Sequence, residues 1–134
     1  MQILESAEDY LESILMLKEK NGYVRSIDVA TELGVTRPSV SYAMKRLREN
    51  NYILFDESDR ISLTEKGLEI AERIYTRHKV LTKILVNLGV DEKTARQDAC
   101  KIEHDISQES FDALLKHLYK YSDEKQSEAA LLQL

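Results

Sequence analysis

Apolar residues recur three and four apart through most of the chain, the spacing of helices that bury one face. Tyr10, Leu11, Ile14, Leu15 and Leu17 form one such stripe. It predicts a helix over about Ala7–Lys20, with Ser6 as N-cap and Asn21-Gly22 as its stop. A short helix is expected over about Ile27–Leu33, ended by Gly34. Thr36 caps the next, which runs to about Asn50 and carries Pro38 in the first turn, where no amide hydrogen is needed. The pattern then shortens: Tyr52–Phe55 and Arg60–Leu63 read as two strands around the polar turn Asp56-Glu57-Ser58-Asp59. Thr64 caps a long helix to about Asn87. Helices over about Asp91–Asp105 and Gln108–Tyr121 follow, and a weak one closes the chain. The expected fold is mainly α, with a winged helix-turn-helix over residues 1–70 and an all-helical domain over 71–134.

Residues Ile27–Leu47 carry the helix-turn-helix pattern. Small Ala30 permits close helix crossing, Gly34 makes the turn, and Val29, Leu33, Val35, Val40, Met44 and Leu47 fill a shared core. The second helix is left to expose Thr36, Arg37, Pro38, Ser39, Ser41, Tyr42, Lys45 and Arg46. In such motifs residues near that helix's start reach base edges, while Ser, Thr, Lys and Arg hold phosphates. Arg60, on the wing, is the expected contact to the DNA backbone, and Arg25, ahead of the motif, is a further expected DNA-binding residue. The competing reading is a winged helix used only for protein contacts; an acid-free outer face on the second helix counts against it. One short helix reads few bases, so two copies on double-stranded DNA are expected.

Composition qualifies this. The 134 residues include 19 Lys+Arg against 24 Asp+Glu, for a net charge of −5, which argues against a generally adhesive nucleic-acid binder. The deficit is uneven: residues 1–24 carry −3, residues 61–90 carry +2 and the stretch from Asp91 onward carries −4. From Thr36 to Arg48 there are four basic residues and no acid, so the basic surface is confined to the recognition helix and the wing. Apolar residues at 43% exclude disorder throughout, and no apolar run is long enough for a membrane span. The acidic start and the single Cys point to the cytoplasm, with the thiol free or a ligand.

Cys100, Glu103 and His104 fall at i, i+3 and i+4, which stacks thiol, carboxylate and imidazole on one helical face. Such a set can converge on one divalent metal. Asp9 and Glu12 share a face of the first helix, and Asp9 could complete the shell. His78 stands alone on the long helix, and His117 reads as a surface or interface histidine. The bland reading makes Cys100 a small core hydrophobe with Glu103 and His104 on a solvated face. A second alternative is a metal-independent regulator in which Cys100 senses oxidants. A metalloenzyme is disfavoured: there is no His-Glu-x-x-His motif, no general base beside an open position, and little room for a small organic substrate.

Taken together these residues resemble the metal-dependent repressors of the diphtheria toxin repressor and manganese transport regulator family. The likeness covers about residues 4–122. It rests on Glu8-Asp9-Tyr10-Leu11-Glu12, Thr36-Arg37-Pro38-Ser39-Val40-Ser41 and Leu63-Thr64-Glu65-Lys66-Gly67. Arg77-His78 and Cys100-Lys101-Ile102-Glu103-His104 complete it. The resemblance implies a homodimer whose second half binds metal and dimerises. Loaded with Mn(II) or Fe(II), it would bind a palindromic operator of metal-uptake and homeostasis genes, with Zn(II), Co(II) or Ni(II) able to substitute in vitro. Longer relatives add an SH3-like domain, and this chain is expected to be the short form.

The resemblance also implies the ligands. Asp9 and Glu12 match the manganese branch, whereas Cys100 matches the iron branch, where the manganese branch has Glu. Thr82 stands where a carboxylate is expected, and Arg96 where the iron branch has histidine. The implied site is Asp9, Cys100, Glu103 and His104, with Glu12 and His78 supporting it or holding a weaker second ion. The metal would link the first helix to the dimerisation helices and so bias where the recognition helices sit.

Overall fold

Glu5–Asn21 forms α1, beginning before the expected start, so Ser6 lies inside its first turn and is not the cap. Glu5 and Glu8 in that turn suit the positive end of the helix dipole. A computed structural model describes the backbone of residues 5–132 and the side chains of residues 5–120. The other elements are α2 (Ser26–Leu33), α3 (Arg37–Glu49), β1 (Ile53–Phe55), β2 (Ile61–Leu63), α4 (Glu65–Asn87), α5 (Glu92–Ile102) and α6 (Gln108–Leu132). They divide into two compact units, Met1–Tyr75 and Thr76–Leu134, with the division inside α4.

In the first unit the caps follow local chemistry. Gly34 adopts the left-handed conformation (φ 65°) that a Cβ would disfavour, and closes α2 onto the carbonyl of Ala30. Thr36 Oγ1 accepts from the Ser39 amide at 3.2 Å and starts α3. Val40, Met44 and Leu47 face inward from α3 and meet Leu11, Ile14 and Leu17 of α1 and Val29 and Ala30 of α2 in one core. Leu33 and Val35 are partly buried against it. The wing is an antiparallel hairpin with Ile53 opposite Leu63 and Phe55 opposite Ile61. Its base is tied down where the Ile61 amide donates to the Val24 carbonyl at 2.7 Å.

Gly67 is needed for space. A Cβ there would stand 2.1 Å from the Tyr52 carbonyl oxygen, which already accepts from the Thr64 amide. Gly67→Ala must therefore push backbone against backbone. An unfolding free energy lowered by about 1–3 kcal/mol is expected in urea titration, the usual range for an overfilled core.

In the second unit α5 turns Ala95 and Ala99 inward, and Leu81, Phe111 and Leu118 are buried. Asp91 caps α5 by accepting from the Thr94 amide. The helix ends at Ile102, three residues short of the expected Asp105, with Glu103 as C-cap. By contrast α6 runs unbroken to Leu132, absorbing the separate closing helix expected from the pattern, because no Gly or Pro interrupts it. Among the described residues no helix is long and apolar enough to cross a membrane.

Candidate functional site

In the second unit, α4 supplies His78, α5 supplies Cys100, its C-cap is Glu103, and His104 follows in the turn. His78, Cys100 and Glu103 each offer a donor atom, all within 4.8 Å of one another. His78 Nδ1 lies 2.9 Å from Glu103 Oε2 and 3.6 Å from Cys100 Sγ. Glu103 is fully buried, and its Oε1 accepts no hydrogen bond; His104 Nε2 lies 3.6 Å away, within ion-pair range. The bland reading of this triplet is reversed, since Cys100 is exposed and the carboxylate is the buried group.

A buried carboxylate with an oxygen that accepts no hydrogen bond is costly unless positive charge satisfies it. Thiol, imidazole and carboxylate are together a donor set for a first-row divalent cation, so these residues fit the metal that the sequence implied. His78 is the present counter-charge. Its pKa is raised to about 10, first by the hydrogen bond with Cys100 and then by that with Glu103, against the opposing effect of burial. At neutral pH the imidazole is protonated and must lose that proton before it can ligate. Mn(II) affinity should therefore rise at least about tenfold per pH unit between about pH 6 and 8, where His78 stays charged without metal. Chelator competition across that range checks this, and a flat profile contradicts it.

Arg77, singled out only as part of a motif, has a role that its spacing did not reveal. It is 5% exposed, and its guanidinium donates to the carbonyls of Glu103 (3.0 Å) and Ile106 (2.9 Å) and to Gln108 Oε1 (2.9 Å). It also lies over the Phe111 ring. The chain leaves α5 where this side chain takes the carbonyls, which shortens the helix and sets the backbone bearing Glu103 and His104. A lone arginine in a helical pattern carries no signal of that.

Asp9 and Glu12 sit one turn apart on α1 in the first unit, Asp9 half-buried and Glu12 7% exposed. Nearby Glu8 is also buried and pairs with Arg73 at 2.9 Å, another contact the pattern did not announce. The two departures from the family pattern have other occupations. Thr82 Oγ1 donates to the His78 carbonyl, and Arg96 pairs with Glu92 on the surface.

The outer face of α3 exposes Thr36, Arg37, Pro38, Ser39, Ser41, Tyr42, Lys45 and Arg46 together. Val40, Met44 and Leu47 occupy the inner face, so burial at i, i+4 and i+7 dictates which side chains remain outside. The Tyr42 hydroxyl accepts from Arg46, and Thr36 donates to the Ser39 hydroxyl. Arg25 is the N-cap residue of α2, and Arg60 follows the wing turn; both are exposed. A basic helix face beside a wing, in one unit of a chain whose other unit gathers metal donors, matches two family descriptions. Residues 2–58 match the iron dependent repressor N-terminal DNA binding domain, and residues 64–126 its metal binding and dimerisation domain. The chain belongs to the iron dependent repressor family.

Iron dependent repressors and the manganese regulators akin to them are metal-dependent transcriptional regulators, not enzymes. An uncharacterized HTH-type transcriptional regulator of Methanocaldococcus jannaschii is 39% identical over 121 residues, 89% of this chain and 97% of that protein. The HTH-type transcriptional regulator MntR of Bacillus subtilis is 38% identical over 109 residues, 81% of this chain and 77% of that one. Among solved structures, T. acidophilum IdeR has a TM-score of 0.76 at 25% identity, covering 88% of this chain and 55% of that one. The manganese regulator SloR has a TM-score of 0.74 at 29% identity, covering 84% of this chain and 53% of that one. The chain thus spans about half the length of those two solved chains.

Proposed function

We propose that this repressor-family protein acts in the cytoplasm as a homodimer. It binds a palindromic operator in double-stranded DNA when holding Mn(II) or Fe(II), and so controls genes of metal uptake and homeostasis. Residues 1–70 form its DNA-binding domain and residues 71–134 its metal-binding and dimerisation domain. Its metal-ligating set is Asp9, Glu12, His78, Cys100, Glu103 and His104. The observation that carries this reading is the fully buried Glu103 carboxylate, one oxygen without a hydrogen-bond partner, beside His78 and Cys100. A bound divalent cation supplies the positive charge that thiolate and carboxylates need in order to lie together. Carboxylates favour Mn(II), whereas the Cys100 thiolate favours Fe(II), and in vitro also Zn(II), Co(II) or Ni(II).

The chain's own residues do the rest. Arg37, Ser39, Ser41, Tyr42, Lys45 and Arg46 meet DNA from α3, with the residues nearest Thr36 and Pro38 closest to base edges. Arg25 and Arg60 hold phosphates. Loading can alter operator affinity only through a difference in metal affinity between the DNA-competent arrangement and the rest, and 100-fold coupling needs about 2.7 kcal/mol. Selection from a random duplex library tests the whole reading, with Mn(II), Fe(II) and Zn(II) titrated separately under anaerobic conditions. A palindromic consensus with half-sites about one helical turn apart is expected, bound at least tenfold tighter with metal. Equal affinity with and without metal would overturn it. DNA release on thiol oxidation without any metal response would instead identify a redox regulator working through the exposed Cys100.

A further inference from the structure

Tyr23 belongs neither to the metal-donor cluster nor to the recognition helix. It lies just after α1, with 45% of its surface exposed although its neighbour Val24 is fully buried. The Arg60 guanidinium stands 4.7 Å from the centre of its ring and that of Arg25 stands 5.7 Å from it. Two cations that would repel each other thus gather at one aromatic ring. Both backbones are fixed nearby. The Arg25 amide donates to Asp28 Oδ2 at 2.9 Å, and the Arg60 amide donates to Asp56 Oδ1 at 3.0 Å. Asp56 is held below the usual carboxylate range, first by the Arg60 amide and then by that of Ser58, with the charges of Arg60 and Arg25 adding to the effect. The Ile61 amide also binds the Val24 carbonyl, so the segment bearing Tyr23 and Arg25 is fastened to the strand that follows Arg60.

We propose that Tyr23 is a positioning residue which holds Arg25 and Arg60 together as a clamp for a phosphate of the DNA backbone. The inference rests on the DNA-binding reading and names how its wing contact is built. A guanidinium resting on a ring keeps its edge donors free for phosphate oxygens, and a flexible side chain pre-ordered in this way loses less entropy on binding. Two such groups meet one anion with more donors than either supplies alone. Tyr23 itself carries no charge, so its part is orientation.

The test uses the full chain with saturating Mn(II) and a random-sequence 30-base-pair duplex, for which no operator need be known. The readout is the slope of log affinity against log salt concentration, which counts phosphates neutralised. Arg25→Ala and Arg60→Ala should each lower the slope by about 1. Tyr23→Ala and Tyr23→Leu should lower it by about 1, with affinity weakened about threefold to tenfold. Tyr23→Phe, which keeps the ring, should match the parent. Removing Arg60 should cost less in the Tyr23→Leu background than alone, since the pair acts as a unit. Tyr23→Leu preserves apolar bulk, and its thermal midpoint verifies folding. A parent slope in folded Tyr23→Leu, or loss in Tyr23→Phe equal to that in Tyr23→Leu, overturns the inference. A parent chain with no duplex affinity overturns instead the DNA-binding reading on which it stands.

Discussion

Glu103→Gln should lower Mn(II) affinity by at least 100-fold while the metal-free protein keeps its fold. The replacement has nearly the same volume, so no cavity opens at a site with no exposure to solvent. What it removes is charge. An amide oxygen is a weaker donor to a hard cation than a carboxylate, and the amide nitrogen is no donor to metal at all. The change is readable as stability. At metal equal to 100 times the parent dissociation constant, binding raises the unfolding free energy by about 2.7 kcal/mol. With the constant raised 100-fold, the same metal contributes only about 0.4 kcal/mol. Duplex affinity should then be the same with and without Mn(II). Parent-like metal stabilisation in Glu103→Gln would remove the central ligand from the proposed set. A metal-free variant that failed to melt cooperatively would assign Glu103 a structural role instead.

Much of this site was legible in the primary structure because its donors lie close together in the chain. Cys100, Glu103 and His104 announce themselves by spacing, and the acid-free run from Thr36 to Arg48 marks one helix face. The winged module was legible for a related reason: Thr36, Pro38 and Gly34 each act within a few residues of themselves, through caps and a left-handed turn. What spacing could not supply was burial. It left the solvated face to Glu103 and the core to Cys100 in one of its readings, and the structure exchanges them. Nor did it pair His78 with Glu103, 25 positions away, or Glu8 with Arg73, 65 positions away. Those pairings depend on where a helix stops and which neighbour turns toward it. The expected helix ending at Asp105 erred for that cause, because the side chain that takes the carbonyls beyond Ile102 comes from α4.

That side chain yields the largest stability effect expected here. Arg77→Met keeps a long flexible stem but deletes the hydrogen bonds donated to the Glu103 and Ile106 carbonyls and to Gln108. The carbonyls of Glu103 and Ile106 then lose a charged donor in a part of the molecule largely closed to water. Each buried polar group left unsatisfied costs about 1–3 kcal/mol, and methionine packing against Phe111 offsets only part of that. A net loss of about 3–5 kcal/mol is expected by urea unfolding of the metal-free protein, a large share of a small protein's total stability. Arg77→Lys separates charge from geometry. A lysine keeps the positive charge but cannot span three acceptors in the planar array of a guanidinium, so it should recover less than half of the loss. Cost below about 1 kcal/mol in Arg77→Met would mean that the carbonyls find water, and that the end of α5 is set by its own sequence after all. If the larger value holds, metal affinity should fall about 10–100-fold in Arg77→Lys as well, although lysine retains the charge and touches no donor atom. The backbone at Glu103 would then be free to settle elsewhere, and a ligand set fixed by a backbone clamp depends on that clamp as much as on its donors.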